Sequence, residues 1–150
     1  MKIPFKDILF VVLQFLLFIA FSFEIDSMAI IFPEVLFWFG VVIFVIGAFI
    51  TITAALQLNF NLSPFPSPLP GSNLIENGVY KFIRHPIYTG LILSFFGFAI
   101  ISDSGYRILI TAVLFLLFYF KTIYEEKRLI EKFPRYLEYK SRSGRFFPWS

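Results

Sequence analysis

Four long apolar stretches dominate this 150-residue sequence and restrict the folds that it can adopt. They cover residues 8–23, 35–58, 87–102 and 106–124, and the second contains no ionisable side chain. At about 1.5 Å per residue, helices of these lengths are roughly 24, 36, 24 and 28 Å long. Because the apolar core of a bilayer is about 30 Å thick, the sequence predicts an all-α integral membrane protein with about four transmembrane helices. The two shorter helices must borrow flanking residues or thin the membrane.

The composition agrees with a membrane environment. Hydrophobic residues make up 58% of the chain and charged residues 15%, whereas soluble domains are about half apolar and a quarter charged. The chain contains 23 Phe, and its mean hydropathy is +0.79. A water-soluble domain of this size cannot bury so much apolar surface. The length predicts one membrane domain over residues 1–150.

Several kinds of site are excluded by residue type. The chain has no Cys, which excludes disulfides, thiol catalysis and Cys-ligated zinc, and its one His, His85, cannot form a His cluster. Neither the Gly-rich dinucleotide-binding motif nor the P-loop motif occurs. We therefore expect neither a bound metal nor a nucleic-acid partner.

The distribution of positive charge predicts the orientation in the membrane. With four spans, twelve Lys and Arg residues lie on one face and one, Arg107, lies on the other. Eight of the twelve lie in the tail that begins at Lys121, near the end of the fourth span. The positive-inside rule then places both termini in the cytoplasm. Residues 102–105 read Ser-Asp-Ser-Gly, a turn signal, so the third and fourth helices should form a tight hairpin.

Two segments allow other interpretations. Lys2 and Lys6 precede the first apolar stretch, which also resembles a signal peptide, although the cleavage site at 20–22 is poor. Residues 61–72 contain four prolines, which predict a stiff connector on the cytoplasmic face. A ligand for a proline-binding module is the alternative for this segment.

The segment at residues 77–90 contains the first candidate site. Pro86 suits the first turn of the third helix, so Arg84 and His85 lie at a helix N-terminus. Free backbone N–H groups and the helix dipole bind anions at such a place. Tyr88 can share the face of Arg84 and His85 if the helix is already wound there. The alternative is a basic cap at headgroup level, with Tyr88 in the aromatic belt.

An acidic pair forms the second candidate site. Glu125 and Glu126 lie at the cytoplasmic end of the fourth span, and Lys121 precedes Glu125 by about one helical turn. Because the third and fourth helices form a hairpin, the start of one lies near the end of the other. We therefore expect the acidic pair to meet Arg84 and His85 at one cytoplasmic pocket. The alternative is a solvated, charged helix exit.

Residues 127–147 predict an amphipathic, basic segment on the cytoplasmic surface. Apolar side chains recur every three to four residues between Leu129 and Leu137, and Pro134 kinks this segment or begins a second short helix. The residues that follow either close over a pocket or anchor the chain to anionic lipid. They include Arg142, Arg145, Phe146, Phe147 and Trp149.

These motifs together resemble the isoprenylcysteine carboxyl methyltransferase family, which is grouped with the phospholipid N-methyltransferases. The resemblance rests on G-x-Y-x-x-x-R-H-P-x-Y-x-G at residues 78–90, E-E-x-x-L at 125–129 and Y-x-x-Y at 136–139. It covers about residues 56–148. It implies an integral-membrane enzyme that uses S-adenosyl-L-methionine and methylates a hydrophobic or lipid-linked carboxylate, amine or thiol. The cofactor would enter from the cytoplasm and the acceptor from the bilayer.

The resemblance also implies roles for individual residues. His85 and Glu126 are the implied catalytic residues, with His85 as the candidate base for an amine or thiol acceptor. Lys121 is implied to bind the acceptor, although the prenylcysteine enzymes have an Arg there and Lys cannot form the same planar clamp. The residues implied to bind the cofactor are Tyr80, Arg84, His85, Pro86, Tyr88, Gly90, Glu125 and Glu126.

Two other functions are compatible with the sequence. Membrane sterol reductases resemble this group in their C-terminal half and use NADPH, but they are usually longer, with more spans. A non-catalytic small tetraspan protein that retains the motifs for structural reasons is the other alternative.

Overall fold

A computed structural model describes residues 3–148, apart from the side chain of Phe60. Lys2 and Trp149, which entered the sequence analysis, lie outside the described residues. Three turns of 3-10 helix cover Asp26–Met28, Asn59–Asn61 and Gly78–Lys81. The α-helices are α1 (Phe5–Ser22), α2 (Glu34–Leu58), α3 (Pro86–Ile101), α4 (Gly105–Lys132) and α5 (Tyr136–Arg142).

The all-α membrane fold is confirmed. Helices α1, α2 and α4 are long and apolar enough to cross a membrane, and α3 is a shorter apolar helix of 16 residues. The fourth helix is longer than predicted, because α4 continues from residue 124 to Lys132. Residues 106–133 contain no Gly or Pro that would end the helix earlier. Pro134 then disfavours a helical conformation at the residue before it. Glu125 and Glu126 therefore lie inside a helix and not at its exit.

Glycines bring α2 and α3 into close antiparallel contact. A Cβ atom added to Gly90 would lie 2.6 Å from the carbonyl oxygen of Gly47. One added to Gly97 would lie 2.6 Å from the carbonyl oxygen of Gly40. Gly40 and Gly47 are seven residues apart on α2, and Gly90 and Gly97 are seven residues apart on α3, so the same two helix faces meet twice. Small residues allow such an approach of two backbones within a membrane, and here they hold α3 against α2.

The predicted hairpin between α3 and α4 is present. Ser104 caps α4, since its hydroxyl accepts a hydrogen bond from the backbone N–H of Arg107. Asp103 adopts a left-handed conformation, with φ of 50°, and its carbonyl accepts a hydrogen bond from Ile30. The connection between α1 and α2 therefore packs against the hairpin turn at one end of the bundle.

The opposite end of the bundle collects the other connecting segments. The proline-rich loop (residues 62–77) joins α1, because the backbone N–H of Ser67 donates to the Asp7 carboxylate over 3.1 Å. It also joins α4, because Lys132 donates to the hydroxyl of Ser72 over 2.6 Å. The C-terminal segment (residues 143–148) pairs with the chain just before α3. The start of α1, the loop, the start of α3 and the end of α4 therefore share one end.

Candidate active site

A cavity of about 370 Å³ lies at this end of the bundle. The proline-rich loop forms one wall, and the first turn of α3 and the last turns of α4 form the others. Helix α1 contributes Gln14, and α5 contributes Tyr136 and Tyr139. The apolar part of the wall includes Leu129 and Phe133. The cavity is thus polar on the side of α3 and largely apolar where α4 meets the loop.

Most of the residues that the sequence singled out line this cavity, and two do not. Gly90 is buried against Thr51 and Gly47 of α2, where it serves helix packing. Glu126 is turned away from the cavity into a cluster of cations. The predicted residues that line the cavity are Tyr80, Arg84, His85, Pro86, Tyr88, Lys121 and Glu125.

Glu125 joins the two predicted clusters within the cavity. Its carboxylate accepts a hydrogen bond from the Tyr88 hydroxyl over 3.0 Å and lies 3.9 Å from Nδ1 of His85. The rings of His85 and Tyr88 are nearly parallel, with 5.7 Å between their centroids. A carboxylate that lines the cavity beside these two side chains is an environment that suits a cationic group.

Glu126 is the centre of a buried ionic cluster. Its carboxylate lies 3.1 Å from Nε of Arg84, 3.2 Å from Nε of Arg145 and 2.8 Å from Nζ of Lys140. Nε2 of His85 lies 3.4 Å away. Glu126 is only 2% exposed, so the interpretation of this residue as a solvated helix exit is wrong. We call these five residues the Glu126 cluster; it links the start of α3 to α4, α5 and the C-terminal segment.

Carbonyl groups of the C-terminal segment accept hydrogen bonds from the backbone N–H groups just before α3, where the sequence predicts free N–H groups that could bind an anion. The N–H of Arg84 donates to the carbonyl of Gly144 over 2.8 Å, and that of His85 donates to Arg145 over 3.1 Å. Arg84 also donates from Nη1 to the carbonyls of Lys140 and Ser143. Arg84 therefore fastens the segment to α3 as well as lining the cavity.

Lys121 has partners that the sequence analysis did not identify. Its ammonium group donates to Oε1 of Gln14 over 2.7 Å and to the carbonyl of Pro64 over 2.8 Å. It also lies 5.1 Å from the centroid of the Tyr88 ring. The signal for Gln14 was available, because a single amide interrupts the first apolar stretch and polar residues within spans tend to be functional.

Three tyrosines near the cavity are buried and neutral. The Tyr80 hydroxyl donates to the carbonyl of Ala54, and the Tyr139 hydroxyl donates to the carbonyl of Tyr80 over 2.6 Å. Burial raises the pKa of Tyr139 to about 12 and raises the pKa of Tyr80 and of Tyr136 further above the usual value. Within residues 3–148, the Tyr136 hydroxyl has no hydrogen-bond partner.

The fold and the cavity define an all-helical integral membrane protein with a partly polar, largely apolar cavity at one end of its bundle. The sequence profile of the phospholipid methyltransferase family matches residues 35–135, which is two thirds of the chain. The chain therefore belongs to this family. The match contains α2, α3 and α4, and with them His85, Tyr88, Lys121 and Glu125; α1 and α5 lie outside it.

Two curated relatives match about half of the chain. Methanethiol S-methyltransferase 1 of Bradyrhizobium diazoefficiens is 38% identical over 72 residues, which are 47% of this chain and 25% of the relative. The cobalt-zinc-cadmium resistance protein CzcN of Cupriavidus metallidurans is 33% identical over 78 residues, which are 51% of this chain and 36% of the relative. Each match thus spans about a third or less of the relative. The family and the first relative support a membrane methyltransferase.

Proposed function

We propose that this chain is an S-adenosyl-L-methionine-dependent membrane methyltransferase whose cofactor binds in the cavity. The observation that carries the proposal is the meeting of His85, Tyr88 and Glu125. Two motifs about 40 residues apart in the sequence supply these residues, and all three line one cavity. The Glu125 carboxylate lies 3.0 Å from the Tyr88 hydroxyl and 3.9 Å from Nδ1 of His85.

The residues of the cavity fit the chemistry of this cofactor. The Glu125 carboxylate suits its ammonium and sulfonium groups. Tyr80 and Pro86 complete the wall on the side of α3. The volume of about 370 Å³ falls within the usual range of small-molecule sites. When bound, S-adenosyl-L-methionine supplies an activated methyl group on a positively charged sulfur.

The protein's own contribution would be alignment and exclusion of water. Methyl transfer is a displacement in which the two reactants must be held in line, and a closed cavity protects them from solvent. The Glu126 cluster holds Arg84 and His85 at the start of α3, so Glu126 acts through these residues. For an amine or thiol acceptor, His85 is the group placed to take a proton; a carboxylate acceptor needs no base.

We further propose that the acceptor is hydrophobic or lipid-linked and reacts at the cytoplasmic face. The apolar part of the cavity wall and the lipid-facing helices support access from the bilayer. The name of the Bradyrhizobium relative indicates a small thiol as its acceptor. Lys121 lines the cavity and is the residue that we assign to the acceptor. The excess of positive charge at this end supports a cytoplasmic position.

Equilibrium binding to the purified protein in detergent tests this function. We expect S-adenosylhomocysteine to bind and NADPH not to bind. Glu125→Gln keeps the volume but removes the carboxylate, so it should weaken S-adenosylhomocysteine binding by about tenfold or more, the scale of one charge-assisted hydrogen bond. Binding of NADPH in place of S-adenosylhomocysteine would indicate a reductase, and binding of neither would indicate a non-catalytic protein.

A further inference from the structure

We propose that Lys121 forms an anion-binding site in the cavity and that Gln14 of α1 keeps its charge available to a ligand. This inference rests on the proposed function and extends it to the chemistry of the group that is bound. The anion is either a thiolate or carboxylate on the methyl acceptor or the carboxylate of the cofactor.

Lys121 is a buried cation held by neutral oxygens. It is 1% exposed, and its two hydrogen bonds go to an amide oxygen of Gln14 and a backbone carbonyl of Pro64. Among the described residues, no carboxylate lies within 4.0 Å of its ammonium group; Asp7 and Glu125 attract it from farther away. Buried cations normally depend on a direct ionic partner, because the cost of desolvation is otherwise unrepaid.

The neighbouring cations differ from Lys121, because each of them has a direct carboxylate partner. Arg84, Lys140 and Arg145 all reach one carboxylate, that of Glu126, at distances of 2.8–3.2 Å. This end of the bundle therefore pairs its other buried cation, Arg84, directly. Among the described residues, Lys121 is the buried cation that has no carboxylate within 4.0 Å, so its charge is left for another group.

The position of Lys121 gives a ligand access to that charge. Lys121, Gln14 and Pro64 all line the cavity. An ammonium group has three N–H donors, and the protein accepts two of them. The third donor and the unpaired charge suit a thiolate or a carboxylate. A protonated amine acceptor would be repelled, so this site disfavours a lipid amine as the group bound here.

Because the Gln14 side chain is neutral, it binds the Lys121 ammonium group without neutralising its charge. A Glu at this position would have nearly the same shape and would form an ion pair with Lys121 at about the present distance of 2.7 Å. The amide instead orients the ammonium group and leaves its charge uncompensated. Gln14 lies outside the residues matched by the family profile, so α1 supplies this feature to the site.

Gln14→Glu is therefore the decisive variant, with Gln14→Met as its matched control. Gln14→Glu should melt at the same temperature as the wild type or higher, because it gains an ion pair. It should bind an anionic probe about tenfold or more weakly, the scale of one charge-assisted hydrogen bond. Gln14→Met also removes the amide but supplies no carboxylate, so Lys121 keeps an unpaired charge, and this variant should bind the same probe more tightly than Gln14→Glu does.

Four probes distinguish the two sources of the anion. Octanoate and octylamine represent anionic and cationic acceptors, and S-adenosylhomocysteine and 5′-methylthioadenosine differ in the amino-acid part that carries the carboxylate. Weaker octanoate binding by Gln14→Glu, with S-adenosylhomocysteine unchanged, assigns the site to the acceptor. Weaker S-adenosylhomocysteine binding, with 5′-methylthioadenosine unchanged, assigns it to the cofactor.

Wild-type affinity of Gln14→Glu for both octanoate and S-adenosylhomocysteine would overturn the inference. A second result would also overturn it: the wild type binds octylamine more tightly than octanoate, and Gln14→Glu binds S-adenosylhomocysteine as tightly as the wild type does. Failure of the proposed function looks different: the wild type then binds no S-adenosylhomocysteine at all, and the octanoate comparison still decides whether Lys121 is an anion site.

Discussion

Adjacent carboxylates on α4 have different surroundings. Neighbouring positions on a helix point about 100° apart, so Glu125 and Glu126 cannot both face one cavity equally. Glu125 lines the cavity and contacts Tyr88 and His85. Glu126 is buried among Arg84, Lys140 and Arg145. The geometry therefore separates a residue that can contact a ligand from one that holds the site together.

Substitution of each carboxylate by its amide should separate these roles. Glu126→Gln should destabilise the protein by about 3 kcal/mol or more, because it leaves the buried Arg84 without an anionic partner. Glu125→Gln removes a half-buried carboxylate whose partners are a hydroxyl and His85, so its thermal stability should stay close to that of the wild type. Thermal unfolding in detergent measures both, and equal melting temperatures for wild type and Glu126→Gln would contradict this assignment.

At the scale of the elements, the pairing of α2 with α3 sets the position of the cavity. Gly47 and Gly90 let the backbones of α2 and α3 approach closely just beyond the first turn of α3, which lines the cavity. His85 and Tyr88 lie within five residues of Gly90, so a change in the separation of the helices would move them. The glycine that the motif contains is thus a packing residue for the site.

Gly90→Ala should lower stability although Ala is the better helix former by about 1 kcal/mol. Its Cβ would lie 2.3 Å from Oγ1 of Thr51, 2.6 Å from the carbonyl oxygen of Gly47 and 2.7 Å from the backbone nitrogen of Thr51. Two of these atoms belong to the backbone and cannot move aside, and overpacking of this kind costs about 1–3 kcal/mol. Thermal unfolding should show a lower midpoint, whereas the lipid-facing control Val45→Ala should change little; an unchanged Gly90→Ala midpoint would show that α2 and α3 can separate freely.

At the scale of the whole molecule, the four antiparallel helices place the connecting segments alternately at two ends. Phe10 stacks on Tyr124 near one end, and Arg107 donates to the carbonyl of Phe21 near the other, so α1 and α4 run in opposite directions. The Gly pairs show the same for α2 and α3. This arrangement brings the proline-rich loop, α5 and the start of α1 to the end that is rich in Lys and Arg.

Reporter fusions should detect this alternation in the membrane. A reporter at residue 29, between α1 and α2, should lie on the opposite face from one at the C-terminus, and the charge distribution predicts that the C-terminal reporter is cytoplasmic. Alkaline phosphatase and a fluorescent protein, each active on only one side, provide the measurement. Both reporters on one face would rule out four spans and would require α3 to enter and leave the membrane on the same side.

The sequence alone determined the class of fold, the approximate spans, the hairpin and the meeting of the two motif segments. These features depend on local signals: apolar runs of membrane length, a turn between two of them, and a proline at the start of a helix. Such signals act over a few residues, and a short hairpin leaves its two helices little freedom in how their ends meet.

Only the tertiary structure decided which face of each helix is turned inward. In a membrane, lipid and protein interior are both apolar, so hydrophobic periodicity does not mark the buried face of a span as it does in water. The different surroundings of Glu125 and Glu126, the packing of Gly90 and the contact of Gln14 with Lys121 all depend on the rotation of a helix about its axis. That rotation is set by contacts between residues as far apart as Gln14 and Lys121, which no local pattern specifies.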